Sequence, residues 1–410
     1  MSFQNIHELP KLFSTEVAAM QFVDLRAQQE RIRGKINERI RGVLDHGRYI
    51  LGPEVTELEE VLARYVRVPH AVACSSGTDA LLLALMAQGV KPGDAVFTSP
   101  FTFIATAEVI FLLGATPVFV DIDPATFNLD PAHLEKAVEA VAASDVTRYP
   151  LPAQGAQGRL KPRGIIGVDL FGLAADYERI NSTAAKHGLF VVEDAAQSLG
   201  GEYRGNRNGG LASVGCTSFF PAKPLGGYGD GGMCFTHDDR LAELLRSLCV
   251  HGKGHDKYDN VRIGINGRLD TLQAAVLLAK FEIFQEEIDA RQTVARRYTE
   301  GLEKRGVPVI SPRVPDSCRS AWAQYSVLAE SQEQRAALQN RLKGEGIPTA
   351  VYYPKPLHLQ TAFAGLGYKE GDFPMSEDCS RRIFSLPMHP YLKPDEQDRV
   401  VDVMAGLRPE

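Results

Sequence analysis

Lys223 lies in the run Ser218-Phe219-Phe220-Pro221-Ala222-Lys223-Pro224-Leu225-Gly226, and five glycines follow it within nine positions. Glycines let a backbone come close to a flat or bulky group. A lysine buried beside such a group has a lowered pKa, and its neutral amine can form an imine. The spacing G-x-x-x-x-G-K is missing, so the turn is not a P-loop. A lysine on a surface loop is the plain alternative, and Lys223 alone does not separate the two.

Three further clusters carry matching chemistry. Ser76-Gly77-Thr78 stands at the start of an expected helix. Free N–H groups and the helix dipole favour a phosphate there, and Gly77 permits close approach. An ordinary helix cap uses the same residues. In Phe101-Thr102-Phe103 a ring could cover one face of a planar group, although core packing is the commoner use of such residues. Glu193-Asp194-Ala195-Ala196-Gln197-Ser198 closes an apolar strand that would carry Asp194 to the rim of a sheet. An unpaired carboxylate is costly there, so a cation is expected beside it. A protonated pyridine nitrogen would serve; a metal-ligand role or a helix cap is the alternative.

Taken together with Ser218, these clusters describe a pyridoxal phosphate site: an amine, a carboxylate for a ring nitrogen, a helix N-terminus for a phosphate and an aromatic cover. A nucleotide dehydrogenase lacks support, because no G-x-G-x-x-G follows any expected strand. A zinc hydrolase lacks ligands. Only His251 and His255 have H-x-x-x-H spacing, and two glycines lie between them. No metal is expected.

Strands alternating with helices must position these clusters. Helical spacing of Ile32, Ile36, Ile40, Val43 and Leu44 predicts a helix over 27–45, stopped by Gly47. Gly52-Pro53 opens the next. Short apolar runs predict strands at 70–74, 95–98, 117–120, 164–168 and 188–192, with helices between them. The pattern implies a mostly parallel sheet covered on both faces, with ligands outside the carboxyl ends of its strands. Residues 143–163, rich in Pro, Gly, Ala and Gln, read as a surface insertion, and 251–267 as a mobile loop. A long helix from Leu269 leads into a smaller C-terminal α/β domain, with strands expected at 323–328 and 348–352. The expected division is an N-terminal extension over 1–19, a large domain over 20–268 and a small domain over 269–410.

At 410 residues, 44% hydrophobic and 23% charged, the chain has the composition of a soluble globular protein. A net charge of -6 argues against nucleic-acid binding. No apolar run is long enough to span a membrane, and no secretion signal is evident. Six scattered cysteines without a C-x-x-C pair suit a cytoplasmic enzyme.

From Met20 onward the chain resembles the DegT–DnrJ–StrS family of nucleotide-sugar aminotransferases, which have PLP-dependent transferase fold type I. The resemblance is carried by Gly52-Pro53-Glu54-Val55, Ser75 to Ala80, Glu193 to Ser198, Ser218 to Gly226, Asn266-Gly267-Arg268-Leu269-Asp270 and Ser385-Leu386-Pro387-Met388-His389. Within the family it is most similar to enzymes that aminate C3 of a UDP-linked 3-keto-glucuronic acid derivative for bacterial surface polysaccharides. The resemblance implies glutamate as amino donor and a homodimer with shared active sites. Lys223 would bond to the cofactor and shuttle a proton, Asp194 would pair with the ring nitrogen, and Gln197 would lie near the ring hydroxyl. Gly77, Thr78 and Ser218 would hold the phosphate, and Phe103 would stack on the ring. Asn266 from the partner would reach the phosphate, and Arg268 would face the substrate carboxylate or sugar. Tyr352 and Tyr353 fall at a sugar-contact site where many members show His-Tyr. Asp169 falls where relatives carry Ser or His, and its role is open. Members that remove hydroxyl groups carry histidine in place of the lysine, so Lys223 opposes a dehydratase. A cofactor-binding regulator would not need the full set Asp194, Gln197, Ser218 and Lys223. A different keto sugar, 4-keto or dTDP-linked, stays open.

Overall fold

In the computed structural model, residues 20–256 and 258–406 are described. The expected extension over 1–19 lies outside them. Two helices come first, α1 (Leu25–His46) and α2 (Pro53–Val66). Gly47 closes α1 in the left-handed conformation, and Gly52 with Pro53 opens α2, as their residue types predict. The alternating part follows: β1 (His70–Cys74), α3 (Gly77–Ala87), β2 (Asp94–Thr98), α4 (Ala105–Leu112), β3 (Thr116–Phe119), α5 (Pro131–Ala143) and α6 (Ala153–Ala156). It continues through β4 (Lys161–Val168), α7 (Tyr177–His187), β5 (Phe190–Asp194), β6 (Glu202–Tyr203), β7 (Asn206–Arg207), β8 (Val214–Ser218) and β9 (Gly232–Thr236).

Seven of these strands make one sheet in the order β1-β9-β8-β5-β4-β2-β3. The run from β8 to β3 is parallel, and β9 is antiparallel to both its neighbours. Successive residues serve opposite faces. Ile165 and Val191 pack with α5 and α7, whereas Ile166 and Val192 pack with α3 and α8 (Asp239–Cys249). Both faces are therefore dry, which is why the strands read as apolar runs rather than as alternations. β5 is the middle strand, so its carboxyl end lies at the centre of the sheet's rim.

The chain then runs through α9 (Thr271–Lys304), β10 (Val309–Ile310), β11 (Cys318–Arg319), β12 (Tyr325–Ala329) and α10 (Gln332–Gly344). It ends with α11 (Pro374–Arg382), β13 (Ile383–Leu386) and α12 (Pro394–Ala405). Strands β10, β12 and β13 form an antiparallel sheet with its own core of Tyr298, Tyr325, Val327, Leu342, Phe384 and Val400. The first half of α9 packs on α1 through Val276, Ala279 and Ile283. A short third sheet pairs β11 with β6. Leu357, Phe363, Leu366 and Phe373 join the core on the α5–α7 face of the large sheet.

Three details differ from the sequence reading. The strand expected at 348–352 is a single bridge, Ala350 to Ser385. Pro348 has no N–H to give a ladder, and Pro354 and Pro356 follow directly. Residues 143–163 include the short α6, and their last three belong to β4. Strands β8 and β9 escape a reading by apolar runs because Gly215 and Ser218 interrupt β8 and Gly232 opens β9.

Candidate active site

Asp194 is the last residue of β5 and only 6% exposed. Its carboxylate accepts a hydrogen bond from Thr106 Oγ1 at 2.8 Å and from the Ala196 N–H at 3.2 Å. Burial pushes its pKa up, and these two donors and the charge of Lys223 pull it back. Lys223 is half-buried in the turn after β8, with its N–H on the Phe220 carbonyl at 2.9 Å. Burial lowers its amine pKa, and Asp194 opposes that. The turn is tight: a Cβ on Gly226 would stand 2.3 Å from the Pro221 carbonyl oxygen, so only glycine fits.

The phosphate candidates converge as well. A Cβ on Gly77 would fall 2.6 Å from Ser218 Cβ, so the start of α3 lies directly against the end of β8. Ser76 is the N-cap of α3, and its hydroxyl takes the Asp79 N–H at 3.0 Å. The cap reading is therefore correct for Ser76, while the glycine gap brings Gly77 and Ser218 together.

The aromatic pair divides. Phe101 is 1% exposed and belongs to the core, whereas Phe103 is 55% exposed. Tyr353 stands beside both, with ring centroids at 6.3 and 6.5 Å. Its hydroxyl accepts from Gln197 Nε2 at 3.2 Å, and Gln197 Oε1 accepts the Phe171 N–H at 2.7 Å. Burial raises the pKa of Tyr353, so its hydroxyl stays protonated. Tyr352 packs between Tyr353 and Phe22, with centroids at 5.9 and 6.3 Å.

Arg268 donates to Asn266 Oδ1, and the intervening Gly267 carbonyl takes the Ser75 N–H at 2.9 Å. Asn266 is exposed. Among the described residues no hydrogen bond or ion pair joins either to Asp194 or Lys223 of the same chain. Sequence reasoning missed Thr106. Its signal was a hydroxyl four residues after Thr102, and the two hydroxyls meet at 3.3 Å.

Residues 30–405 match the DegT/DnrJ/EryC1/StrS aminotransferase family. The chain belongs to that family. It is 47% identical over 373 residues to the UDP-2-acetamido-2-deoxy-3-oxo-D-glucuronate aminotransferase of Pseudomonas aeruginosa, covering 91% of this chain and 96% of that one. A solved DegT DnrJ EryC1 StrS aminotransferase from Brucella abortus superposes with a TM-score of 0.88 at 52% identity, covering 94% of this chain and 99% of that one. NtdA from Bacillus subtilis, solved with bound cofactor PMP, gives 0.83 at 27% identity over 95% of this chain and 85% of its own. The architecture is PLP-dependent transferase fold type I, as the sequence predicts.

A lowered pKa means that the Lys223 amine is neutral from a lower pH than that of free lysine. Amine-directed labelling across a pH series, read by peptide mass spectrometry, is expected to give Lys223 a midpoint below that of free lysine. A midpoint at or above it would contradict the burial argument.

Proposed function

We propose that this chain is a pyridoxal phosphate-dependent aminotransferase. It moves the amino group of L-glutamate onto C3 of UDP-2-acetamido-2-deoxy-3-oxo-glucuronate, in the cytoplasm, for a surface polysaccharide such as lipopolysaccharide. The observation that carries the reading is that Lys223 and Asp194 act on each other's charge at the strand ends where Gly77 meets Ser218. The residues fit the cofactor. Among the described residues Asp194 forms no salt bridge, so its buried carboxylate suits a cationic ring nitrogen. The gap at Gly77 leaves bare backbone N–H groups at a helix start for a phosphate. The substrate follows from the likeness to the Pseudomonas aeruginosa enzyme. Among the described residues no helix is long and apolar enough to cross a membrane.

When bound, pyridoxal phosphate supplies an aldehyde that bonds to amines and a protonated ring that draws electrons from the adjacent carbon. Asp194 would keep the proton on the ring nitrogen. Lys223 Nζ takes the proton from the α-carbon of glutamate and later gives a proton to the sugar's amino-bearing carbon. Gln197, held by Phe171 and Tyr353, would lie near the ring hydroxyl. Gly77, Thr78 and Ser218 hold the phosphate, and Phe103 covers the ring. Tyr352 and Tyr353 border the sugar. The same proposal divides the chain into a cofactor-binding domain over 20–268 and a small domain over 269–410.

Asn266 and Arg268 serve the neighbour's site in a homodimer, Asn266 at the phosphate and Arg268 at a carboxylate through a two-pronged pair. The exposed aromatic residues Tyr49, Phe103, Phe220 and Tyr228 support a subunit interface.

Two tests follow. Purified protein given pyridoxal phosphate is expected to show a visible absorbance band that glutamate moves into the near ultraviolet. The 3-keto UDP-sugar acid should restore it, and Lys223→Ala should lower kcat by roughly 10²- to 10⁴-fold. Restoration by a 4-keto or dTDP-linked sugar instead would shift the substrate, and no glutamate response would overturn the donor. Second, Lys223→Ala chains mixed with Arg268→Ala chains should regain activity, about one site in four if the chains assort at random. No recovery would sink the shared site.

A further inference from the structure

Asp169 has no part in the proposed chemistry, yet it is fully buried one residue beyond β4. Val168 pairs with Asp194 in the parallel ladder, and the next N–H, that of Asp169, donates to the Asp194 carbonyl at 3.1 Å. The Asp169 side chain reaches the far end of the same turn. Its Oδ2 accepts from Ser198 Oγ at 2.7 Å, and its Oδ1 accepts the Ala175 N–H at 3.0 Å. Between these two ties, Gln197 Oε1 accepts the Phe171 N–H at 2.7 Å. Phe171 stands in the left-handed region at φ 59°, a shape that a non-glycine residue keeps only when its surroundings over-determine it. The loop 169–175 and the turn 194–198 are thus braced at three points.

We propose that Asp169 is a positioning residue: its carboxyl and its backbone N–H fix the turn Asp194–Ser198, and so aim the Asp194 and Gln197 side chains. The inference rests on the cofactor reading above.

The electrostatic surroundings fit that role. Asp169 faces the equally buried Glu193 of β5, with the Tyr177 phenol of α7 and the Cys318 thiol of β11 nearby. Glu193 accepts the Gly209 and Leu211 N–H groups at 2.5 and 2.8 Å. Among the described residues neither carboxyl has a salt bridge, and burial raises the pKa of both. Burial, with the charge of Asp169 on Glu193, disfavours a second negative charge on the pair. A second would press on Asp194, which must stay ionised to hold a cationic ring.

The test measures pyridoxal phosphate affinity of cofactor-free protein by absorbance titration, with thermal unfolding of the cofactor-free chain alongside. Asp169→Ala is expected to weaken affinity by roughly ten- to a hundredfold, the loss usual when the supporting partner of a site ligand is removed. Asp169→Asn, which keeps the shape and a partner for Ser198, should restore most of it. Should Asp169→Ala fail to fold, Ser198→Ala removes only the clamp and should weaken affinity in the same direction. Variants that unfold at lower temperature yet bind the cofactor like the unaltered chain would overturn the positioning role and leave the cofactor reading intact. No binding by the unaltered chain would overturn both.

Discussion

A carboxylate buried at the end of a parallel strand must find positive charge, and Asp194 finds little within its own chain. Thr106 and the Ala196 N–H satisfy its oxygens but do not neutralise it. Lys223 supplies attraction, yet burial is the larger influence on that amine and drives it toward neutrality. The two groups therefore leave a charge deficit at the centre of the rim. A cation held against Asp194 closes it, and a protonated ring nitrogen is a cation that also does chemistry. The glycine turn and the α3 start, which meet at Ser218 and Gly77, stand next to that deficit.

The sheet order makes this arrangement possible. β5 is central, and its neighbours β4 and β8 end in Asp169 with its loop and in Ser218 with the Lys223 turn. Three adjacent strands thus deliver Asp194, Asp169 and the Lys223 turn to one rim of the sheet. Packing on both faces keeps those strand ends rigid, because Ile165 and Val191 bind one helical layer and Ile166 and Val192 the other. Residues 350–353, which bring Tyr353 to Gln197, are held by the single Ala350–Ser385 bridge.

Much of this was legible in the sequence because it rests on local residue chemistry. Gly47 and Gly52-Pro53 behave as the caps their types suggest. Lys223, Asp194 and Gly77 could be singled out because a lysine on a glycine-rich turn, an acidic strand end and a glycine at a helix start suit one ligand in combination. Thr106 was not, since a threonine inside an apolar helix resembles any other. Nor was the brace at Asp169, because a hydrogen bond to Ser198, 29 positions away, leaves no periodic signal. Phe101 and Phe103 show the limit of composition: two identical residues two positions apart, one buried and one exposed. The strand expected at 348–352 failed because apolar content suggested pairing that its prolines forbid.

The central claim is that Lys223 is the amine to which the cofactor bonds. Protein loaded with pyridoxal phosphate, reduced with borohydride and digested, would be read by peptide mass spectrometry. The account predicts one pyridoxyl-modified residue, Lys223, within the peptide that carries Ser218 to Gly232. Modification at another lysine, such as the buried Lys280 of α9, with Lys223 unmodified, would contradict it.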